Sequence, residues 1–178
     1  PEQSQALLSL NHALTQQIYA PFLLYGITGS GKTQVYIEIT KKVIKSGKQA
    51  IVLVPEIALT SQIVKRFKAE FDSDVVVIHS KLSISERNDV FTRIRTKDAN
   101  IVIGARSAVF APVVDLGIII MDEEHDFSYK QEESPKYNTV NVAQQRLKLS
   151  NGLLLLGSAT PALNTYFAAL NNKITLLK

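Results

Sequence analysis

Eight consecutive residues constrain this chain more than anything else in it: Gly26-Ile27-Thr28-Gly29-Ser30-Gly31-Lys32-Thr33. They match the phosphate-binding P-loop pattern in full. The glycines let main-chain N–H groups turn inward around an anion. A helix that starts where the loop ends points its positive pole at the same anion. Lys32 then reaches the β- and γ-phosphates, and the Thr33 hydroxyl suits a Mg²⁺ ion. The competing reading is a glycine-rich turn that matches by chance. The flanks argue against it, because residues 22–25 form a short apolar run and residues 32–46 carry a helical pattern that Gly47 stops.

Such a loop needs an α/β sheet to carry it, and the rest of the chain predicts one. Strands are expected at 22–25, 50–54, 75–78, 100–104, 117–121, 153–156 and 174–177. Helices are expected at 6–18, 32–46, 57–71, 84–96, 139–149 and 161–170. Ser83 and Glu86 have the spacing of a capping box, and Pro161 suits a first helical turn. Strands that are apolar throughout and separated by helices imply a mostly parallel sheet covered on both faces. Ligands of such sheets bind beyond the carboxyl ends of the strands, where every motif in this chain falls. Residues 126–138, polar and aromatic together, are the least regular and read as a mobile loop.

At 178 residues, 46% apolar and 20% charged, the chain is long enough for one domain with its own core. The same figures exclude a disordered or collagenous chain. No apolar run approaches the ~20 residues of a membrane span, and no signal peptide is visible at the N-terminus. The absence of cysteine excludes a disulfide framework and a thiolate metal site in this stretch, and is compatible with a cytosolic chain. The net charge of +4 is a weak pointer to a polyanion. No acid follows Glu133, while Lys136, Arg146, Lys148, Lys173 and Lys178 do.

The apolar run 118–121 ends in Asp122-Glu123-Glu124-His125-Asp126. A buried strand ending in acids is what a Walker B element requires. Asp122 would hold the Mg²⁺ shell, and Glu123 would orient and deprotonate an attacking water. Four acids in five residues repel one another without a cation, which favours a metal nearby. A solvated acidic turn is the alternative. His125 is either part of this unit or a plain loop histidine. After the strand 153–156, Ser158 and Thr160 of Gly157-Ser158-Ala159-Thr160 offer hydroxyls to the acidic turn, or Thr160 N-caps the helix at Pro161. Arg106 follows another strand and suits a nucleic-acid phosphate or base, or pairs with a surface acid. Pro55-Glu56 through Thr60 opens a helix whose N-terminus could bind a phosphate, with Glu56 as ordinary helix charge the alternative. Phe127, Tyr129 and Tyr137 interleave with Lys130 and Lys136, as suits base stacking on a single strand; the alternative is that the aromatics pack beneath their own loop. His12 and His79 read as structural or surface residues.

Five stretches, GITGSGKT, VPEIALTSQ, IVIGARSAVFAP, IIIMDEEHDFSYKQEE and LLGSATPALNT, together resemble the first RecA-like motor lobe of superfamily 2 helicases. Among these the closer resemblance is to the replication-restart DNA helicases, and it covers essentially the whole chain. It implies an ATP- and Mg²⁺-dependent 3′–5′ DNA helicase that acts on stalled or branched forks and assembles a primosome. Residue by residue it implies nucleotide contacts from Gln3, which would read adenine, and from Gly26, Thr28, Gly29, Ser30, Gly31, Lys32, Thr33 and Glu123. Thr33 and Asp122 would hold the metal, with Lys32, Asp122 and Glu123 catalytic. Coupling to DNA would fall to Arg106, His125, Phe127, Tyr129, Lys130, Tyr137, Ser158 and Thr160. One departure is Val140-Asn141, where the family commonly has Arg-Asp.

The resemblance further implies that residues 1–178 are lobe 1 of a larger protein. Its N-terminal DNA-binding region, zinc-binding region and second motor lobe would lie outside this stretch, so zinc is expected only there. Single-stranded and forked DNA, single-strand-binding protein and other primosome proteins are the implied partners, with no membrane. The implied location is the bacterial cytoplasm, at the nucleoid. Competing functions are a DNA translocase that does not separate strands, an RNA-unwinding motor, and a P-loop kinase; the kinase would leave DEEH and GSAT without a role.

Overall fold

The computed structural model describes residues 2–56 and 62–178. The expected contact of Thr60 and the start of the helix expected at 57 lie outside the described residues. Seven strands form one wholly parallel sheet: β1 (Ala20–Tyr25), β2 (Gln49–Leu53), β3 (Val75–Ile78), β4 (Ile101–Gly104), β5 (Leu116–Met121), β8 (Leu153–Ser158) and β9 (Thr175–Leu177). Their spatial order is β3-β4-β2-β5-β8-β1-β9. A separate two-stranded antiparallel ribbon joins β6 (Lys130–Gln131) to β7 (Tyr137–Asn138).

Two cores result from strand alternation, because successive side chains point to opposite faces. Phe22, Leu24, Val52, Ile118, Ile120 and Leu155 pack beneath α1 (Glu2–Gln16), α2 (Lys32–Lys45) and α3 (Gln62–Phe71). Leu23, Ile51, Ile119, Met121, Leu154 and Leu156 face α4 (Ile84–Arg95), α5 (Thr139–Ser150) and α6 (Leu163–Leu170). Each fully buried large side chain contributes about 1.5–3 kcal/mol relative to exposure, and Phe67 of α3 is among them. Covering helices on both sides explain why the central strands are apolar along most of their length, with Gln49 and Ser158 as buried polar exceptions at strand ends.

Caps and turns set the helix limits. Ser83 and Glu86 form the expected capping box: the Glu86 N–H donates to Ser83 Oγ, and the Ser83 N–H donates to the Glu86 carboxylate. The helix expected at Pro161 is a correction. α6 starts at Leu163, and Thr160 is not its N-cap. Instead the Ala162 N–H donates to the buried Glu124 carboxylate at 2.7 Å, and Thr165 Oγ1 donates to the same carboxylate at 3.0 Å. A side chain from a distant turn does the capping, which leaves Pro161 in the connection. One other buried amide joins three segments. Gln49 donates to the carbonyls of Ile94 and Ala99 and accepts the N–H groups of Val114 and Asp115.

Residues 126–138, expected as an irregular loop, are also corrected. A 3₁₀ turn, Phe127–Tyr129, is followed by the β6–β7 ribbon. The Thr139 hydroxyl, fully buried, donates to the Tyr129 carbonyl at 2.7 Å and ties the ribbon to the start of α5.

Candidate nucleotide site and nucleic-acid edge

The register of the sheet brings three turns to one edge. Tyr25 of β1 pairs with Ser158 of β8, and Met121 of β5 pairs with Leu156 of β8. The P-loop, the acidic turn and the Gly-Ser-Ala-Thr turn therefore leave neighbouring strands at the same end, with β8 in the middle.

The P-loop is shaped by its own backbone. Gly29 and Gly31 take φ of +84° and +90°, a region that glycine occupies without a Cβ penalty. The Ser30 N–H donates to the Ile27 carbonyl, and the Gly26 N–H donates to the Ser158 carbonyl. Lys32 Nζ donates to the Gly26 carbonyl at 2.7 Å and to that of Ile27 at 3.3 Å, so the ammonium lies inside the loop. Thr28, Gly29 and Ser30 are exposed, while Thr33 is half-buried in the first turn of α2. Gln3, from α1, donates to the Ser30 carbonyl at 2.9 Å. It lines a cavity of about 280 Å³ with Glu2, Tyr25, Ile27 and Lys32. A Cβ at Gly31 would also sit 2.1 Å from Gln3 Nε2 and would push the end of that side chain aside.

The acidic turn is held quite differently. Its four acids separate, each into its own surroundings. Among the described residues no three His, Cys, Asp or Glu side chains converge as a metal cluster. Asp122 accepts a hydrogen bond from the Tyr36 hydroxyl at 3.0 Å. Glu124 is buried and binds the start of α6. Asp126 accepts the Ser128 N–H at 2.8 Å, and the Ser128 side chain first and its main chain second lower the Asp126 carboxyl from the usual range. Glu123 takes φ of +46°, which costs a non-glycine residue roughly 1–2 kcal/mol. Two main-chain bonds hold it there: Asp126 N–H to the Glu123 carbonyl at 2.8 Å, and Glu124 N–H to the Gly157 carbonyl at 3.1 Å. Burial pushes the Asp122 carboxyl up, and Glu123 adds to the rise; the Tyr36 hydroxyl and the Lys32 charge oppose it.

His125 joins the acidic turn to the Gly-Ser-Ala-Thr turn. Its Nδ1 lies 2.8 Å from Ser158 Oγ and 3.6 Å from Glu123 Oε2. Its Nε2 lies 3.4 Å from Thr160 Oγ1, and Ser158 Oγ also accepts the Thr160 N–H at 3.0 Å. One imidazole thus touches both hydroxyls and the carboxylate that would face an attacking water.

The aromatic segment divides between its two expected roles. Tyr129 is buried, and its hydroxyl donates to the Asp122 carbonyl at 2.7 Å, so a base cannot stack on it. Burial pushes its phenol well above the ordinary value, with nearby acids adding to the effect. Phe127 is 82% exposed, with Lys130 Nζ 5.6 Å from its ring centre. Tyr137 is half-buried, edge-on to Phe110 at 5.1 Å. Among the described residues Arg106 makes no acid pair: it donates to the Lys130 carbonyl at 2.6 Å and lies 5.9 Å from the Tyr137 ring centre. Arg106, Ser128, Glu56 and His79 line one cleft, which brings His79 to the edge where the sequence offered no reason to expect it.

Tyr36 and Glu124 were missed by sequence reasoning as parts of the site. For Tyr36 a signal existed, since it lies four residues after Lys32 and so on the same helical face. For Glu124 there was none, because its partners Ala162 and Thr165 are far along the chain.

A P-loop at the end of β1, an acid-tipped β5 and a linking β8 in a parallel sheet define a RecA-like nucleotide-binding lobe. The chain belongs to the DEAD/DEAH box helicase family, whose model matches residues 2–167. Over 176 residues it is 48% identical to the replication restart protein PriA of Bacillus subtilis, covering 99% of this chain and 22% of that protein. It is equally 48% identical over 177 residues to PriA of Chlamydia pneumoniae, covering 99% of this chain and 24% of that one. The chain thus spans less than a quarter of the length of these relatives. The structure of RecG bound to a three-way DNA junction shares the fold, with a TM-score of 0.69 and 22% identity over 98% of this chain and 23% of that one.

Proposed function

We propose that this chain serves as the ATP-binding motor lobe of a 3′–5′ DNA helicase that acts on stalled or branched replication forks and restarts replication by primosome assembly. Similarity to PriA proteins over nearly the whole of this chain supports the assignment. The observation that carries the mechanism is the His125 bridge. Between Glu123 on the nucleotide side and Ser158 and Thr160 on the next turn, it gives a direct contact through which ATP state and the nucleic-acid edge can bias each other.

ATP phosphates would lie on the N–H groups of Gly29, Ser30 and Gly31, with Lys32 against the β- and γ-phosphates and adenine beside Gln3. The donor set suits Mg²⁺, which needs only one or two protein oxygens beside phosphate and water. Thr33 opens α2, and Asp122 is tied to Tyr36 of that same helix, so both oxygens belong to one flank. When bound, the metal neutralises charge on the phosphates. Glu123 orients and deprotonates the water, and its left-handed backbone directs it away from the strand. Phe127, Lys130, Arg106 and Tyr137 offer a strand an exposed ring, cations and a second aromatic face. In this reading the work takes place in the bacterial cytoplasm, at the nucleoid, with single-strand-binding and primosome proteins as partners of the complete protein.

This lobe alone would turn ATP over at least about a thousandfold more slowly than the complete motor, because an arginine from a second lobe stabilises the transition-state charge. The test is steady-state ATP hydrolysis by the complete protein with no nucleic acid, single-stranded DNA, forked DNA or RNA. Stimulation greatest on the fork and abolished by Lys32→Ala is the expected result. Hydrolysis indifferent to every nucleic acid would overturn the helicase reading. Stimulation without strand separation would point to a translocase.

A further inference from the structure

We propose that Tyr36 is a positioning residue for the metal-facing carboxylate of Asp122, and that residue 157 is glycine to make room for it. The inference rests on the ATP-site reading above and adds a residue that reading does not use.

Tyr36 is fully buried, and its hydroxyl donates to Asp122 Oδ1 at 3.0 Å across 86 residues of sequence. The main chain of Asp122 is already fixed: its N–H donates to the Leu53 carbonyl at 2.9 Å, and its carbonyl accepts the Tyr129 hydroxyl at 2.7 Å. Its carboxylate is held more lightly, with the Glu123 main chain and one side chain, Tyr36, favouring its charged form through hydrogen bonds. Among the described residues no other side chain donates a hydrogen bond to that carboxylate. Tyr36 therefore decides how the carboxylate is turned about its own bond, and it uses one oxygen in doing so. The second oxygen stays available to a ligand.

Gly157 supports this independently. A Cβ there would sit 1.6 Å from the Tyr36 oxygen and 2.8 Å from its Cζ, distances no real side chain tolerates. The hydroxyl therefore lies directly against the β8 backbone where the Gly-Ser-Ala-Thr turn begins. The Gly157 carbonyl also accepts the Glu124 N–H at 3.1 Å. One phenol oxygen thus touches three units at once: the P-loop helix, the acidic turn and the turn after β8. A side chain at 157 would push the ring aside and free the carboxylate.

A bland role competes: a buried tyrosine needs an acceptor, and Asp122 supplies one. Tyr36→Phe separates the two, because it keeps the ring and its packing and removes only the oxygen. Binding of a fluorescent ATP analogue to the complete protein is measured in EDTA, and then as a function of Mg²⁺ at fixed nucleotide, with melting temperature as the check on folding. For Tyr36→Phe the affinity in EDTA stays within about twofold. The Mg²⁺ concentration for half-saturation rises about five- to tenfold, the scale of one hydrogen bond to a charged group. Gly157→Ala raises it in the same direction. Added to Tyr36→Phe, Gly157→Ala changes the Mg²⁺ requirement by at most about twofold, because the displaced oxygen is already gone.

An unchanged Mg²⁺ requirement in Tyr36→Phe overturns the inference. So does equal loss of binding with and without Mg²⁺, which would mean general damage to the pocket. A parent protein that binds the analogue in neither condition overturns the ATP-site reading itself, and is distinguished from the other two results by failing before any substitution is made.

Discussion

The turn after β1 and the turn after β5 lie at the same edge of one sheet, but they are held by opposite means. The P-loop takes most of its shape from eight consecutive residues: two left-handed glycines, short internal hydrogen bonds and a lysine folded into its own loop, with the Ser158 carbonyl and the Gln3 amide as outside contacts. The acidic turn takes its shape from elsewhere. Tyr36 binds Asp122, Ser158 and Thr160 flank His125, and Glu124 is anchored to Ala162 and Thr165. One turn is a mainly local device, shaped chiefly by its own residues between a strand and a helix. The other is an assembly that exists only once the sheet has formed. Phosphate binding can thus be built into a short motif, whereas control of when phosphate is cleaved is distributed over several elements.

The sharpest way to test the contrast is to remove chemistry from the assembled turn while leaving the local one intact. Glu123→Gln keeps the P-loop and should still bind ATP, while hydrolysis falls by about 10²–10⁴-fold, the usual contribution of a general base. A single-turnover measurement should then find intact ATP on the protein. Glu124→Ala should cost about 1–3 kcal/mol in urea unfolding, because the Ala162 N–H and the Thr165 hydroxyl lose their shared acceptor. Restoring the acceptor with Glu124→Gln should recover part of that loss. A local device should behave more simply. Ser83→Ala removes the α4 cap and should lower Tm by about 2–4 °C, with no change in nucleotide affinity. An effect of Ser83→Ala on ATP binding would blur the distinction between local and assembled parts.

This contrast also explains what could be read from the sequence. The apolar strands, the helices between them, the P-loop and the Ser83–Glu86 box were legible because each depends on neighbours within a few residues. The order β3-β4-β2-β5-β8-β1-β9 then brought the Asp-Glu-Glu-His and Gly-Ser-Ala-Thr turns together, which their positions at strand ends had suggested. The failures share one cause. Thr160 looked like a cap for a helix at Pro161, but a carboxylate 38 residues earlier took that role. The four acids read alike because they are adjacent in sequence, yet Asp122 and Glu124 are drawn to distant partners, while Asp126 is held by Ser128 two residues on and Glu123 lies beside His125. Tyr129 looked like its neighbour Phe127, and only the fold shows that one is buried beneath the acid while the other is exposed.

The account stands or falls on the claim that the local turn and the assembled turn share one ligand. Crystals of the protein grown with Mn²⁺ and a non-hydrolysable ATP analogue, measured at the manganese absorption edge, test it most directly. The account predicts one anomalous peak within bonding distance of both the nucleotide phosphates and the Thr33 hydroxyl, with the Asp122 carboxylate bound to it directly or through one water. A phosphate-bound peak with neither Asp122 oxygen bound to it directly or through one water would contradict it.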